Sequence, residues 1–198
     1  MNPTDNRVLV FAGSARAHSY NKHLARLAAT RVEDAGGQAT FVDLRDYPIP
    51  LYDGDLEQEQ GIPEHARRLK ELLATHAGLI VVSPEYNGFI TPLLKNTLDW
   101  LSRPDGEENG LALFRNRVAC VLSASPGGFG GMRSLGLARQ LLTNLGVTAL
   151  PDQLAIPRAG EAFSDDGNLK DPATLQRLDQ ICRRLVDTLV RLNPHAGR

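Results

Sequence analysis

The sequence predicts a doubly wound α/β fold, with five parallel strands in the order 2-1-3-4-5 between two layers of helices. Three observations carry this. Short apolar runs such as VLVFA, LIVVS and VACVLS are continuous rather than alternating, as strands buried on both faces must be. Each run leads into a stretch of helical period, so the chain reads as repeated β-α units with right-handed crossovers. The unusual residues sit in the turns after strands one, three and four, at the strand ends where such sheets bind ligands.

The first strand is Arg7 to Gly13 (RVLVFAG). From Asn21 onward Leu24, Leu27, Ala28 and Val32 recur at helical spacing until Gly36-Gly37 stops the pattern. Ala39 to Leu44 gives a second strand, and Pro48 to Gly61, broken by Pro and Gly and rich in acids, reads as a long surface loop. Pro63 suits a first helical turn, with Ala66, Leu69, Leu72 and Leu73 as one apolar face before the strand LIVVS ending at Ser83. Pro92 to Arg103 is an amphipathic helix with more apolar surface than one core-facing stripe needs, which leaves part of it for another subunit. Arg117 to Ser123 is strand four. Met132 to Leu145 is a helix ended by Gly146, and Val147 to Leu150 is a short fifth strand. After an irregular stretch from Pro151 to Asp171, Leu175 to Leu192 forms the closing helix. No repeat or linker divides residues 1–198, which read as one domain.

With 198 residues, 42% of them hydrophobic, the chain can bury roughly 70% of its unfolded surface in a single core. Lys and Arg number 22 against 23 Asp and Glu, a net charge of -1, so no bulk electrostatic term draws it to nucleic acid or anionic lipid. Met1 to Arg7 lacks a secretory layout and no apolar run reaches membrane-spanning length, so a cytoplasmic protein is expected. Cys120 and Cys182 fall inside apolar stretches and read as buried small hydrophobes. His18 and His23 are poorly spaced as a metal pair, and no metal site is predicted.

The first turn reads Gly13-Ser14-Ala15-Arg16-Ala17-His18-Ser19-Tyr20-Asn21. A helix start offers unpaired N–H groups and partial positive charge, Ser14, Ser19 and Asn21 add polar donors, and Arg16 adds a planar cation able to hold two phosphate oxygens. Without GxGxxG or GxxxxGK[ST], a monophosphate suits it better than a dinucleotide or triphosphate. The second turn, Ser83-Pro84-Glu85-Tyr86-Asn87-Gly88, is tight enough to offer backbone groups to the edge of a flat heterocycle, with Tyr86 able to cover a ring face. Glu85 has no partner nearby in sequence and is not assigned as a catalytic acid. In the third, Ser125-Pro126-Gly127-Gly128-Phe129-Gly130-Gly131, the glycines allow close backbone approach to a ligand. Each turn alone also fits a plainer reading: Ser19 as a helix cap with Arg16 solvated, a tight turn with a packed Tyr86, a flexible Gly-rich connector.

Taken together, GSARAHSYN at 13–21, PEYNGFITPLLKNTLDWLSR at 84–103, SPGGFGGMR at 125–133 and PLYDGDLE from Pro50 resemble the NADPH-dependent FMN reductase family of quinone, chromate and azo-dye reductases. The resemblance implies a flavodoxin-like three-layer fold. It also implies that Ser14, Arg16, Ser19 and Asn21, with Tyr20 beside them, hold the FMN phosphate. Pro84, Glu85, Tyr86, Asn87 and Gly88 would then line the isoalloxazine edge, and Ser125, Pro126, Gly127 and Gly128 the other side. The implied activity is hydride transfer from NADPH or NADH through bound FMN to a small electron acceptor, with no side-chain acid or base required. Homodimers or homotetramers are implied, with Lys95 pairing across the interface; the other reading of Lys95 is an ordinary pair with Asp99 on the same helix. Phe89 and Thr91 depart from the family's small-then-Pro spacing after Asn-Gly, so the acceptor stays open. The alternatives are a non-enzymatic flavodoxin-like electron carrier, which strong acidity would favour and this balanced charge does not, and a scaffold that has lost its flavin.

Overall fold

In the computed structural model, which describes residues 4–107 and 109–192, five strands form one parallel sheet. They are β1 (Thr4–Ala12), β2 (Gln38–Val42), β3 (His76–Val82), β4 (Val118–Ala124) and β5 (Thr148–Ile156), in the expected order β2-β1-β3-β4-β5. The start of the Met1–Arg7 segment lies outside the described residues. Among the described residues seven α-helices surround the sheet: α1 (Tyr20–Asp34), α2 (Gly54–Gln60), α3 (Glu64–Ala74), α4 (Pro92–Leu101), α5 (Met132–Asn144), the single turn α6 (Ala159–Ala162) and α7 (Pro172–Leu192).

Successive strand residues enter opposite cores. Val8, Val10, Cys120 and Leu122 pack with Leu24, Ala28, Ile181 and Leu185 of α1 and α7. Leu9, Phe11, Ala119 and Val121 pack instead with Leu69, Leu94, Leu98 and Leu135 of α3, α4 and α5. Every residue of β3 and β4 is buried, which is why these runs show no polar alternation. Cys120 and Cys182 belong to the first core, and burial pushes both thiols up, Cys120 to about 12, so they stay protonated and apolar. Among the described residues, no helix is long and apolar enough to cross a membrane.

The structure corrects the sequence reading in three places. The fifth strand does not stop at Leu150 but runs to Ile156. Its pairing with β4 jumps from Ala119–Ala149 to Val121–Gln153, a bulge that carries Pro151 on an edge strand, where a missing N–H costs little. The segment read as irregular from Pro151 also contains α6. The loop from Pro48 to Gly61 contains α2, capped by Asp53 and with Asp55 and Glu57 in its first turn, where acidic side chains suit the helix dipole.

Trp100, part of the apolar surplus of α4, is covered within the chain. Trp100 is fully buried beside Ile62 and Ala66, and its indole N–H donates to the Pro50 carbonyl at 2.8 Å. Asn96 donates to the same carbonyl at 2.9 Å and accepts from the Tyr52 N–H at 2.7 Å. Arg103 then pairs with Glu57, whose carboxylate also accepts from the Tyr52 hydroxyl. Lys95 pairs with Asp99 at 2.7 Å, the same-helix reading.

At the far end of the sheet from the three turns, the buried His76 ring bonds the Leu72 carbonyl through Nδ1 at 2.6 Å and the Thr40 hydroxyl through Nε2 at 2.8 Å. Burial, with Arg7 and Arg117 nearby, holds its pKa below the ordinary 6.5 despite the Leu72 bond. The unfolded ring therefore takes up a proton near 6.5 and the folded ring only at lower pH, so stability is full above that value and falls below it. Urea midpoints measured from pH 8 down to 5.5 should decline through this window in the native chain and decline less in His76→Asn; identical slopes refute the assignment.

Candidate functional site

The turns after β1, β3 and β4 converge at the carboxyl end of the sheet. In the first, the Gly13 N–H donates to Val82 O at 2.9 Å, extending the β1–β3 ladder by one residue. A Cβ on Gly13 would lie 2.8 Å from both Leu94 Cβ and Thr91 Oγ1, so only glycine lets α4 approach this closely. The buried Ser14 hydroxyl accepts from the Arg16 N–H at 3.4 Å, and the Ser19 hydroxyl accepts from Lys22 N at 3.4 Å, capping α1. The first-turn N–H groups of Tyr20 and Asn21 have no partner among the described residues, and neither has the exposed Arg16 side chain. Lys22, buried in the first turn of α1, is neutralised by Asp43 at 2.7 Å. Burial opposes ionisation of Asp43, but its bonds to Lys22 and the Arg45 N–H outweigh that and hold its pKa low. A cleft of about 700 Å³, lined by His18, Tyr20, His23, Arg26 and Asn168 among others, borders this turn on the outer side of α1.

The second turn is a two-residue hairpin. Tyr86 and Phe89 exchange N–H···O bonds of 2.9 Å, with Asn87 at φ 54 and Gly88 at φ 84, the left-handed pair that an Asn-Gly tip supplies. Pro84 is buried beneath it. The N–H groups of Asn87 and Gly88 have no partner among the described residues. The third turn is not a loose connector: Ser125 N donates to Ile156 O at 3.0 Å, Arg158 N to Gly127 O at 3.2 Å, and Gly127 N to the Ser125 hydroxyl at 3.2 Å. Pro126, Gly127 and Gly128 remain exposed, and a Cβ on Gly88 or Gly128 would meet nothing within 4 Å, so backbone faces open space at both turns.

Side chains tie the turns together. Thr91 caps α4 and donates its hydroxyl to Gly13 O at 2.7 Å. Asn21 donates to Ala124 O at 2.7 Å and accepts from Ala124 N at 2.9 Å. Glu85 accepts from the N–H groups of Arg133 and Ser134 at 3.1 and 3.3 Å.

These ties revise three assignments. The buried Asn21 side-chain amide is committed to Ala124, a strut between the first and third turns that leaves only the backbone N–H of that residue for a ligand. The Glu85 carboxylate faces α5 and leaves only the backbone of that residue for a ligand. Tyr20 packs against the α1/α7 core, its hydroxyl beside Gly160. Thr91 and Arg133 went unassigned in the sequence because their partners are 78 and 48 residues away. A Thr before Pro at a helix start was the one legible sign, and it marked the cap alone.

The family model for NADPH-dependent FMN reductases matches residues 6–161, a span that contains all three turns. The chain belongs to this reductase family. As a member it is an FMN-dependent NAD(P)H oxidoreductase. It is 31% identical to an NADPH:quinone oxidoreductase of Arabidopsis thaliana over 191 residues, covering 94% of this chain and 93% of that one. It is 33% identical to an NAD(P)H-dependent FMN reductase of Pseudomonas aeruginosa over 177 residues, covering 89% and 91% of the two. Among solved structures, the flavoenzyme NAD(P)H:(acceptor) oxidoreductase FerB of Paracoccus denitrificans superposes with a TM-score of 0.80 at 27% identity, covering 94% of this reductase and 98% of FerB.

Asn21→Ala in this reductase leaves a buried N–H and C=O of Ala124 unpaired and should cost about 2 kcal/mol or more. Denaturant unfolding of the flavin-free protein measures it, and a loss below about 0.5 kcal/mol, the scatter of surface substitutions, would remove the strut.

Proposed function

We propose that FMN lies across the three turns, its phosphate on Gly13 to Ser19 and its ring between the Pro84–Gly88 hairpin and Ser125–Gly128, and that NAD(P)H then reduces a small acceptor of the quinone, flavin, azo or metal-oxyanion class. The observation that carries this is the exposed Arg16 and the N–H groups of Tyr20 and Asn21, without partners among the described residues, at the same end of the sheet as the open backbone of Gly88 and Gly128. That donor set suits a phosphate at one end and the acceptor edge of a flat ring at the other.

Bound FMN supplies the redox chemistry, accepting hydride from NAD(P)H and delivering reducing equivalents to the acceptor. The chain supplies position and charge. Ser14 holds the Arg16 backbone and Ser19 caps α1, so the phosphate cradle is set before ligand arrives. The unpaired N–H groups of Asn87, Gly88 and Gly128 would hold the acceptor edge of the ring and favour negative charge there, and their preset geometry requires little reorganisation. Tyr86 and Phe89, 49% and 62% exposed, and Phe129, 67% exposed, give the crevice an apolar rim suited to flat partners. The same rim, continued by the exposed Met132, supports a homodimer or homotetramer in which a second copy covers apolar surface, in a cytoplasmic protein.

The purified protein should show a flavin spectrum that bleaches on NADPH without oxygen and recovers on addition of a quinone. Protein that stays colourless with added FMN removes the reading, and bound flavin that NAD(P)H does not bleach favours an electron carrier instead. Arg16→Ala should weaken FMN retention about tenfold or more through loss of a charge-assisted pair. Unchanged retention with collapsed turnover would overturn the phosphate assignment.

A further inference from the structure

We infer that Glu85 is a positioning residue that fixes the gap between the two ring walls, by capping across the crevice the helix that follows the third turn. The inference rests on the FMN reading of the crevice and adds a role for a carboxylate that touches neither cofactor nor substrate in it.

The carboxylate is only 8% exposed, and a buried charge is tolerated only where it is fully bonded. Oε2 accepts from the N–H groups of Arg133 at 3.1 Å and Ser134 at 3.3 Å, while Oε1 accepts from Arg133 Nε at 2.7 Å and pairs with the same guanidinium through a second nitrogen. These are the first-turn donors of α5. The α5 cap residue is Gly131, at φ 87 and with no side chain to offer, so the capping function has been transferred to Glu85 in a turn that follows another strand. Gly131 cannot supply it by substitution, since a Cβ there would lie 1.9 Å from Ser123 Oγ.

The geometry makes this more than a local cap. The far limb of the third turn is already held to the end of β5 by Ser125 N to Ile156 O and Arg158 N to Gly127 O. Its near limb enters α5 through Gly130 and Gly131, both in the left-handed region, where backbone freedom is greatest. Glu85 bonds immediately beyond these glycines. Removing it releases the limb that faces the hairpin and lets the Pro84–Gly88 and Ser125–Gly128 walls separate. Arg133, 66% exposed and 5.9 Å over the Phe129 ring, is the outer arm of the same clamp.

The test measures dissociation constants for FMN and for riboflavin, by quenching of flavin fluorescence, on protein freed of its native flavin. Riboflavin lacks the phosphate and so reports the ring walls alone. Glu85→Ala should weaken both ligands by the same factor, about tenfold or more, as for loss of a bonded charge. Glu85→Gln keeps an acceptor but turns an amide toward Arg133, and should fall between. Arg133→Met keeps both backbone caps and should weaken both ligands least. Arg16→Ala should weaken FMN while leaving riboflavin as it was.

A Glu85→Ala protein with wild-type affinities, or with lowered melting temperature and unchanged affinities, overturns the inference, since a cap with no further role predicts that outcome. So does a loss confined to FMN, which would route the effect through the phosphate cradle. If Glu85→Ala does not fold, equal losses for both flavins in Glu85→Gln and Arg133→Met support the clamp, and wild-type affinities in both overturn it. A wild type that binds neither flavin overturns the cofactor reading, and this inference falls with it.

Discussion

The hydrogen bonds that join the three turns to one another are what the carboxyl end of the sheet depends on. A parallel sheet places its strand ends within reach of one another but leaves the connecting turns to find their own conformations, and backbone of that kind is entropically expensive to order. Here Thr91 bonds Gly13, Asn21 bonds both backbone groups of Ala124, and Glu85 bonds the start of α5. Two of these three side chains lie in the first turn of a helix or immediately before it, so ordering a turn and starting a helix become one event. The turns are therefore shaped without a ligand, and on the proposed reading FMN would spend no binding energy on assembling them.

Close approach makes those bonds possible. Gly13 brings α4 against the end of β1, and Gly131 brings the entrance of α5 over Ser123, whose buried hydroxyl has no hydrogen-bond partner among the described residues. At each place a single methyl group would force the helices apart. The glycines of these turns thus act by admitting neighbours as much as by freeing the backbone.

How much of this was legible depends on range. The strands followed from continuous apolar runs, because residues buried on both faces leave no other pattern, the sheet order from their alternation with helices, and the three candidate turns from sheet order and local composition together. The tight turn from Pro84 to Gly88 and the Ser19 cap were visible because each is decided by residues a few positions apart. Bonds made across 78 or 103 residues left no local trace, so the sequence showed neither the tie of the Asn21 side chain to Ala124 nor the partner of Glu85, which begins the helix after the next strand. Trp100 belongs to the same class: it was legible only as part of an apolar surplus on its helix, and the loop at Pro50 that covers it lies 50 residues away.

The bulge in β5 bears on how copies of this protein can meet. A sheet edge attracts other edges through its row of unused donors and acceptors, and an uninterrupted strand at that position would be an open invitation to stack sheet on sheet. Pro151 deletes one donor from the row, and the shifted register bends what remains, so no continuous ladder is offered to a neighbour. Two molecules brought together at high concentration are steered away from joining through this edge and toward contact through helices and loops, which is the difference between a protein that assembles in defined numbers and one that aggregates.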